Sequence, residues 1–207
     1  KDSFLSGGLG ARNFFVKASS KISTPNVPSG IDGDEVATTA DLITRISTQP
    51  ALSQTAFYKD PAFGSSGPLP PKTGEETVFT VHWQIINPGN DMNNVEIRAI
   101  LPTGAIWKNV VSVGLGQAEP TFNANSAEVI WNIGVLPQGT GVLTPKYEAS
   151  FQVGNKPSVA GQTSTIVKDG RFSGTDSFTK EQVILNAQDL TTDDLVDRTG
   201  EGTVTAD

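Results

Sequence analysis

Between Thr73 and Val153 the chain alternates apolar and polar residues with period two, and Gly/Pro turns break the alternation into short runs. In Phe79, Val81, Trp83 and Ile85 every second side chain is apolar, while Thr80, His82 and Gln84 between them are polar. The phase returns in Val95, Ile97, Ala99 and Leu101, in Val129, Trp131 and Ile133, and in Tyr147, Ala149, Phe151 and Val153. Successive side chains of a strand point to opposite faces, so each run has one face for a core and one for water. Four such strands joined by tight turns predict two sheets packed by their inner faces, an all-β antiparallel sandwich. On this reading Trp83 and Trp131 are core residues, and His82, Thr80 and Gln84 face solvent.

Composition narrows the function. At 207 residues the chain is long enough to bury a core. Only 18% of residues are charged, and Thr, Ser, Asn, Gln, Gly and Pro fill much of the rest, as in extracellular β-proteins. A net charge of −7 and a pI near 4.7 argue against nucleic acid or anionic lipid, either of which needs a basic face. The absence of cysteine removes thiolate nucleophiles, zinc ribbons and redox motifs together. There is no apolar run approaching the ~20 residues of a membrane helix, which excludes direct insertion by that route, and no signal peptide. The chain opens at Lys1 rather than Met, which reads as a processed or excised piece of something longer.

Organisation reads as two units. Residues 1–40 form an N-terminal extension with one strand candidate, Asn13 to Ser20, preceded by Gly-rich Ser6 to Gly10. A polar linker containing Pro25, Pro28, Gly30 and Gly33 follows it. Residues 41–207 form the sandwich, opening with Leu42, Thr44 and Ile46, where either a strand or a short helical turn fits. A Pro/Gly-rich connection from Pro61 to Gly74 leads into the alternating strands, and a further strand is expected over Glu181 to Ala187 with Val183 and Leu185 inward. In Asn87-Pro88-Gly89-Asn90, Pro sets φ at the second position and Gly suits the positive φ of a type II turn.

These elements resemble a known family. Gly74-Glu75-Glu76-Thr77-Val78-Phe79-Thr80-Val81, Asn87-Pro88-Gly89-Asn90, Asn94-Val95-Glu96-Ile97, Leu101-Pro102-Thr103-Gly104, Val129-Ile130-Trp131-Asn132-Ile133-Gly134 and Leu136-Pro137-Gln138-Gly139 follow one another in order. Over residues 73–153 this is similar to the conserved Ig-like repeat of bacterial and archaeal cell-surface proteins, a domain of unknown function. The resemblance implies an Ig-like β-sandwich exported to the cell surface, commonly as one unit of a stalk, wall or adhesin, with no assigned catalytic residues. The long first connection, the extra strands after Val153 and the N-terminal extension depart from that pattern.

Outside the resemblance, the N-terminal strand suggests assembly. A sheet edge presents unpaired backbone groups that a neighbour's strand can satisfy. Asn13, Phe14, Phe15, Val16, Lys17 and Ala18 form a candidate assembly strand that pairs with the next subunit or repeat, or folds back in its own chain. Trp107 is a candidate exposed contact for a glycan, with Tyr58 and Phe63 beside it, in an alternative reading as a ligand-binding adhesin module. Carboxylates cluster at Asp32, Asp34 and Glu35 and at Asp189, Asp193, Asp194 and Asp197, but neither run has the Gly and distal Glu of an EF-hand, and solvated loop charge is the simpler account. His82 would be needed for a Ser-His-Asp triad, yet no Gly-x-Ser-x-Gly is present. Glu75, Glu76 and Glu128 make no convincing glycosidase pair, since Glu128 and Glu96 lie on outward phases. The sequence therefore predicts a non-enzymatic, extracellular structural unit without cofactor. Its partners are copies of itself or neighbouring repeats in a filament, stalk or array.

Overall fold

A computed structural model describes residues 12–27, 29–30 and 36–206. Ser6 to Gly10, Pro28, Gly33 and the acidic run Asp32, Asp34 and Glu35 lie outside the described residues. Among those described there are strands and turns and no helix. Strands β3 (Ala51–Phe57), β4 (Thr77–Ile86), β9 (Tyr147–Asn155) and β6 (Ala105–Val113) form one sheet in the order β3-β4-β9-β6. The other runs β11 (Gln182–Asn186), β10 (Thr165–Asp176), β5 (Met92–Ile100), β8 (Glu128–Leu136) and β7 (Thr121–Asn123), with β12 (Leu190–Thr191) also paired to β10. Every ladder is antiparallel.

The inward phase read from the sequence is the core. Phe79, Val81, Trp83 and Ile85 of β4 and Ala149, Phe151 and Val153 of β9 meet Val95, Ile97 and Ala99 of β5 and Val129 and Trp131 of β8, all essentially without exposure. Trp83 stands edge-on to Phe151 with ring centroids 4.8 Å apart, the arrangement the aromatic quadrupole favours. Both indoles spend their one donor: Trp83 Nε1 donates to Gln54 Oε1 and Trp131 Nε1 to Ala118 O.

The outward phase of β4 is a different matter. Thr80 is buried and His82 half-buried, against the expectation that both face water. β3 ends opposite Thr80, and the chain beyond it folds back across the sheet, where Val78 N donates to Ser66 O and Thr77 Oγ1 to Pro68 O. The Pro61–Gly74 connection thus covers β4 rather than merely linking strands, and a covering from elsewhere in the chain leaves no mark on the alternation of the strand it covers.

The N-terminal unit also differs from its expected form. β1 (Phe15–Thr24) pairs over its full length with β2 (Val36–Arg45) of the same chain, as a two-stranded hairpin separate from both sheets. The expected border between residues 40 and 41 falls inside β2, and the helical option over Asp41 to Ile46 is replaced by strand for Asp41 to Arg45. The extension carries two strands where one was expected.

Replacing a side chain at the centre of this packing leaves a cavity that neighbouring rings cannot fill. Phe151→Ala is expected to cost ~3–5 kcal/mol in urea unfolding, whereas Val135→Ala, on the exposed side of β8, should stay within about 0.5 kcal/mol.

Candidate functional site

The hairpin is the part of the molecule that no internal packing explains. Every residue of β1 and β2 is exposed, including Ile22 at 70% and Leu42 at 67%. Two-stranded ribbons are marginal in water by themselves, so its root matters. Ile46 N donates to Phe14 O, extending the ladder by one bond towards the sandwich. There Asn90 grips both strands: its Oδ1 accepts Asn13 N at 2.8 Å, and its Nδ2 donates to Ile46 O at 3.0 Å and Asp176 Oδ2 at 2.9 Å.

Asp176, at the end of β10, has no exposure. Its Oδ2 also accepts Thr48 N at 2.7 Å, while Oδ1 accepts Phe178 N at 2.8 Å and Thr179 N at 3.0 Å. Burial pushes this carboxyl's pKa up, but the donors from Thr179, Thr48, Asn90 and Phe178 outweigh burial and hold it below the usual carboxylate value. Asn87 completes the knot, accepting Thr48 Oγ1 and donating to Asn90 O and to the carbonyls of Leu136 and Pro137. The knot joins the end of β4, the end of β8 and the end of β10 to the hairpin. Around it, Arg45 lies 5.0 Å above the Phe178 ring and Arg12 is 3.4 Å from Asp91.

Gly89 has a different reason from the one its turn suggested. It does not adopt a positive φ, so the type II reading does not hold. A Cβ there would stand 2.4 Å from Thr48 Oγ1, and the Gly89 N–H donates to that hydroxyl. Glycine is required by close approach, which a turn motif does not reveal.

Of the candidate assembly strand, Asn13 belongs to the root, Phe14 is half-buried beside it, and Phe15, Val16, Lys17 and Ala18 lie in β1 with their outer edge unpaired among the described residues. Trp107 is not an exposed platform. Its ring stacks on Phe122 at 5.8 Å and meets Phe151 at 5.5 Å, because its neighbour Ile106 takes the outward position. Tyr58 packs on Phe79 and donates its hydroxyl to Gly67 O. Trp107 and Tyr58 thus turn their rings to internal partners, and Phe63 is half-buried in the Asp60–Gly64 turn. The C-terminal carboxylates serve turns: Asp193 accepts Gly202 N, Asp194 accepts Thr191 N, Asp197 accepts the N–H groups of Tyr58 and Lys59, and Asp189 accepts Asp169 N. Among the described residues no group of three or more His, Asp or Glu is placed to hold a metal.

One constellation was hidden from the sequence. His82 Nε2 is 2.6 Å from Asp60 Oδ2, and its Nδ1 is 3.0 Å from Ser150 Oγ and 3.3 Å from Glu148 Oε1. Burial raises the pKa of Asp60, but His82 and the N–H groups of Ala62 and Phe63 overcome this and hold it low. The ionised Asp60 is the partner of Nε2, while Nδ1 lies between the Ser150 hydroxyl and the Glu148 carboxylate. The residues have the order of a Ser-His-Asp relay beside a cavity of about 310 Å³. Ser150, however, is laddered to His82 on one side and Ser112 on the other, so its backbone is committed to strand pairing and offers no N–H to an oxyanion. The cluster staples the Asp60–Gly64 turn onto the sheet. No motif could have shown it, because the three residues come from separate elements.

No family model matches the chain, and no curated protein matches it. Among solved structures it is similar to the major pilin subunit BcpA of Bacillus cereus, with 13% identity and a TM-score of 0.44 over 83% of this chain and 47% of that one. It is also similar to the full-length major pilin SpaD of Corynebacterium diphtheriae, with 12% identity and a TM-score of 0.43 over 74% and 42%. A third likeness is to the Fcho1 mu homology domain of Danio rerio, with 9% identity and a TM-score of 0.34 over 84% and 53%. The chain spans about half the length of these structures.

Two outcomes follow from this geometry. Asp176→Ala leaves four donors unmatched and should cost about 3 kcal/mol, with hydrogen exchange rising over Asn13 to Thr24 and Val36 to Thr48 before it rises in the sheets. Because the folded pKa of Asp176 lies below its ordinary value of 3.8, its contribution is complete above about pH 4 and fades as pH falls through the folded value. The unaltered chain should therefore show the same exchange pattern on acidification. Separately, hydrolysis of p-nitrophenyl acetate by the unaltered chain should equal the background given by Ser150→Ala; a Ser150-dependent rate would overturn the structural reading of His82.

Proposed function

We propose that the chain is a non-enzymatic structural unit of a cell-surface filament or array, joined to neighbouring copies or repeats through hairpin β1–β2. The observation that carries this is a wholly exposed ribbon held by a wholly buried anchor. Burying the ionised Asp176 is costly unless every lone pair is used. That cost is hard to rationalise for a segment with no task, whereas an arm that bears load between subunits needs a root that does not fray. Among the described residues no further strand joins the outer edge of β1 or of β2, and an open edge is the feature by which sheets recruit further strands.

A location outside the cell fits the polar but sparsely charged composition and the resemblance over residues 73–153. Among the described residues no helix is long and apolar enough to cross a membrane. The role is mechanical, and the cavity beside His82 plays no part in it.

The test is self-association of the purified chain by sedimentation velocity with negative-stain imaging. The full chain is expected to form concentration-dependent oligomers or filaments. A chain lacking residues 1–46, checked for an intact sandwich by near-UV circular dichroism, is expected to remain monomeric. Equal self-association of the two, or a full chain that stays monomeric throughout, would refute the proposal.

A further inference from the structure

His82 is the chain's one histidine, and its two nitrogens are partnered unequally. Nε2 lies 2.6 Å from Asp60 Oδ2, a short charge-assisted bond to a carboxylate whose side chain is 1% exposed. Nδ1 lies 3.3 Å from Glu148 Oε1, beyond the roughly 2.7–2.9 Å of such a bond. Two carboxylates thus flank one imidazole, and a neutral ring has a single N–H to offer them. With that proton on Nε2 for Asp60, Nδ1 turns a lone pair towards a carboxylate oxygen. The Ser150 hydroxyl, 3.0 Å from Nδ1, has one proton and satisfies only one of the two acceptors. A positive charge belongs between them, either a second proton or a metal ion.

The spacing favours the ion. Ligands about 2.0–2.1 Å from a tetrahedral metal stand roughly 3.3–3.4 Å from one another, and the Nδ1 to Oε1 separation is 3.3 Å. The surroundings are also those of a metal site. A carboxylate on the far nitrogen of a ligating histidine fixes its tautomer and ring orientation and makes the near nitrogen more basic. Asp60 is itself fixed, its Oδ1 accepting Ala62 N at 2.8 Å and Phe63 N at 3.0 Å. The Phe57 ring meets the imidazole edge-on at 5.0 Å. Glu148 is oriented by Gln84, whose Nε2 donates to Oε1 at 3.1 Å. His82 and Glu148 both line the cavity of about 310 Å³, with Ser112 and Ser150 beside them, so there is room for coordinating water.

We propose that His82 Nδ1 and Glu148 Oε1 bind a divalent first-row transition ion, with Asp60 holding the histidine from behind and water in the remaining positions. This site is independent of the assembly reading above. The donors select the class of ion. An imidazole with a carboxylate suits Zn²⁺, Ni²⁺ or Cu²⁺, whereas Ca²⁺ takes about six to eight oxygens. Charge favours a cation as well, since Asp60 and Glu148 outnumber Lys146, 3.8 Å from Glu148 Oε2, on a chain of net charge −7. The ligands come from β4 and β9, the two middle strands of their sheet, so the ion would bridge them.

A single histidine and no cysteine make the test direct. Metal-free chain, prepared without a polyhistidine tag, is titrated with Zn²⁺ at neutral pH by isothermal calorimetry. One ion per chain is expected, and millimolar Ca²⁺ should not displace it. In a long-range ¹H–¹⁵N spectrum, Zn²⁺ is expected to shift the Nδ1 resonance while Nε2 keeps its proton. Asp60→Asn leaves both ligands in place and should weaken binding about 10–100-fold. Glu148→Gln and His82→Gln, checked for folding by near-UV circular dichroism, should abolish the binding. Zn²⁺ bound equally by these two variants would mean adventitious carboxylate sites only and would overturn the proposal. So would a folded, unaltered chain that binds no Zn²⁺, or one whose Nδ1 resonance Zn²⁺ leaves unmoved.

Discussion

A carboxylate without solvent, accepting from four N–H groups, stands where both sheets and the hairpin meet. Asp176 closes β10, Asn87 follows β4, and Leu136 closes β8; Asn90 and Thr48 tie these ends to the base of β1 and β2. An ion in this position is tolerable only when its hydrogen bonds are complete. The arrangement therefore tends to be fully made or lost, and that gives the hairpin a definite root where a polar linker would have given none.

The two halves of the molecule are consequently stabilised in different ways. The sandwich is held by non-directional burial of aromatic and branched side chains, which tolerates substitutions that conserve volume. The root is held by directional bonds between Asn, Asp and Thr, where changing one atom leaves a partner unmatched. The Asp60–His82–Ser150 cluster belongs to the second kind. It fixes a turn over the sheet, and its likeness to a catalytic relay comes from the same requirement, a histidine whose two nitrogens both need partners.

Much of the sandwich was legible because β4, β9, Val95 to Ala99 of β5 and Val129 to Ile133 of β8 keep period two, which locates Trp83, Trp131 and Phe151 inside. Strands that break the period were not legible. β6 carries Asn109 at positive φ and shifts register between Trp107 and Val111, so its phase does not continue. β10 shifts register twice around its glycines, and β3 is short, polar and at a sheet edge. The site was less legible than the fold. Asn13 to Ser20 reads as a strand, but nothing in its own sequence says that Val36 to Arg45 pairs with it. The burial of His82 depends on Asp60, 22 residues away in sequence, and that of Asp176 on Thr48, 128 residues away.

The pole-to-pole run of the strands also bears on how the molecule would carry tension. Pulling on the hairpin at one end and on the opposite end of the sandwich directs force along the strand axes, across inter-strand hydrogen bonds that lie perpendicular to them. Such a load is a shear, shared by all the bonds of a ladder at once, whereas peeling a strand from its side opens them one after another. Anchored between β4, β8 and β10, the hairpin feeds tension into the middle of both sheets, away from their outermost strands.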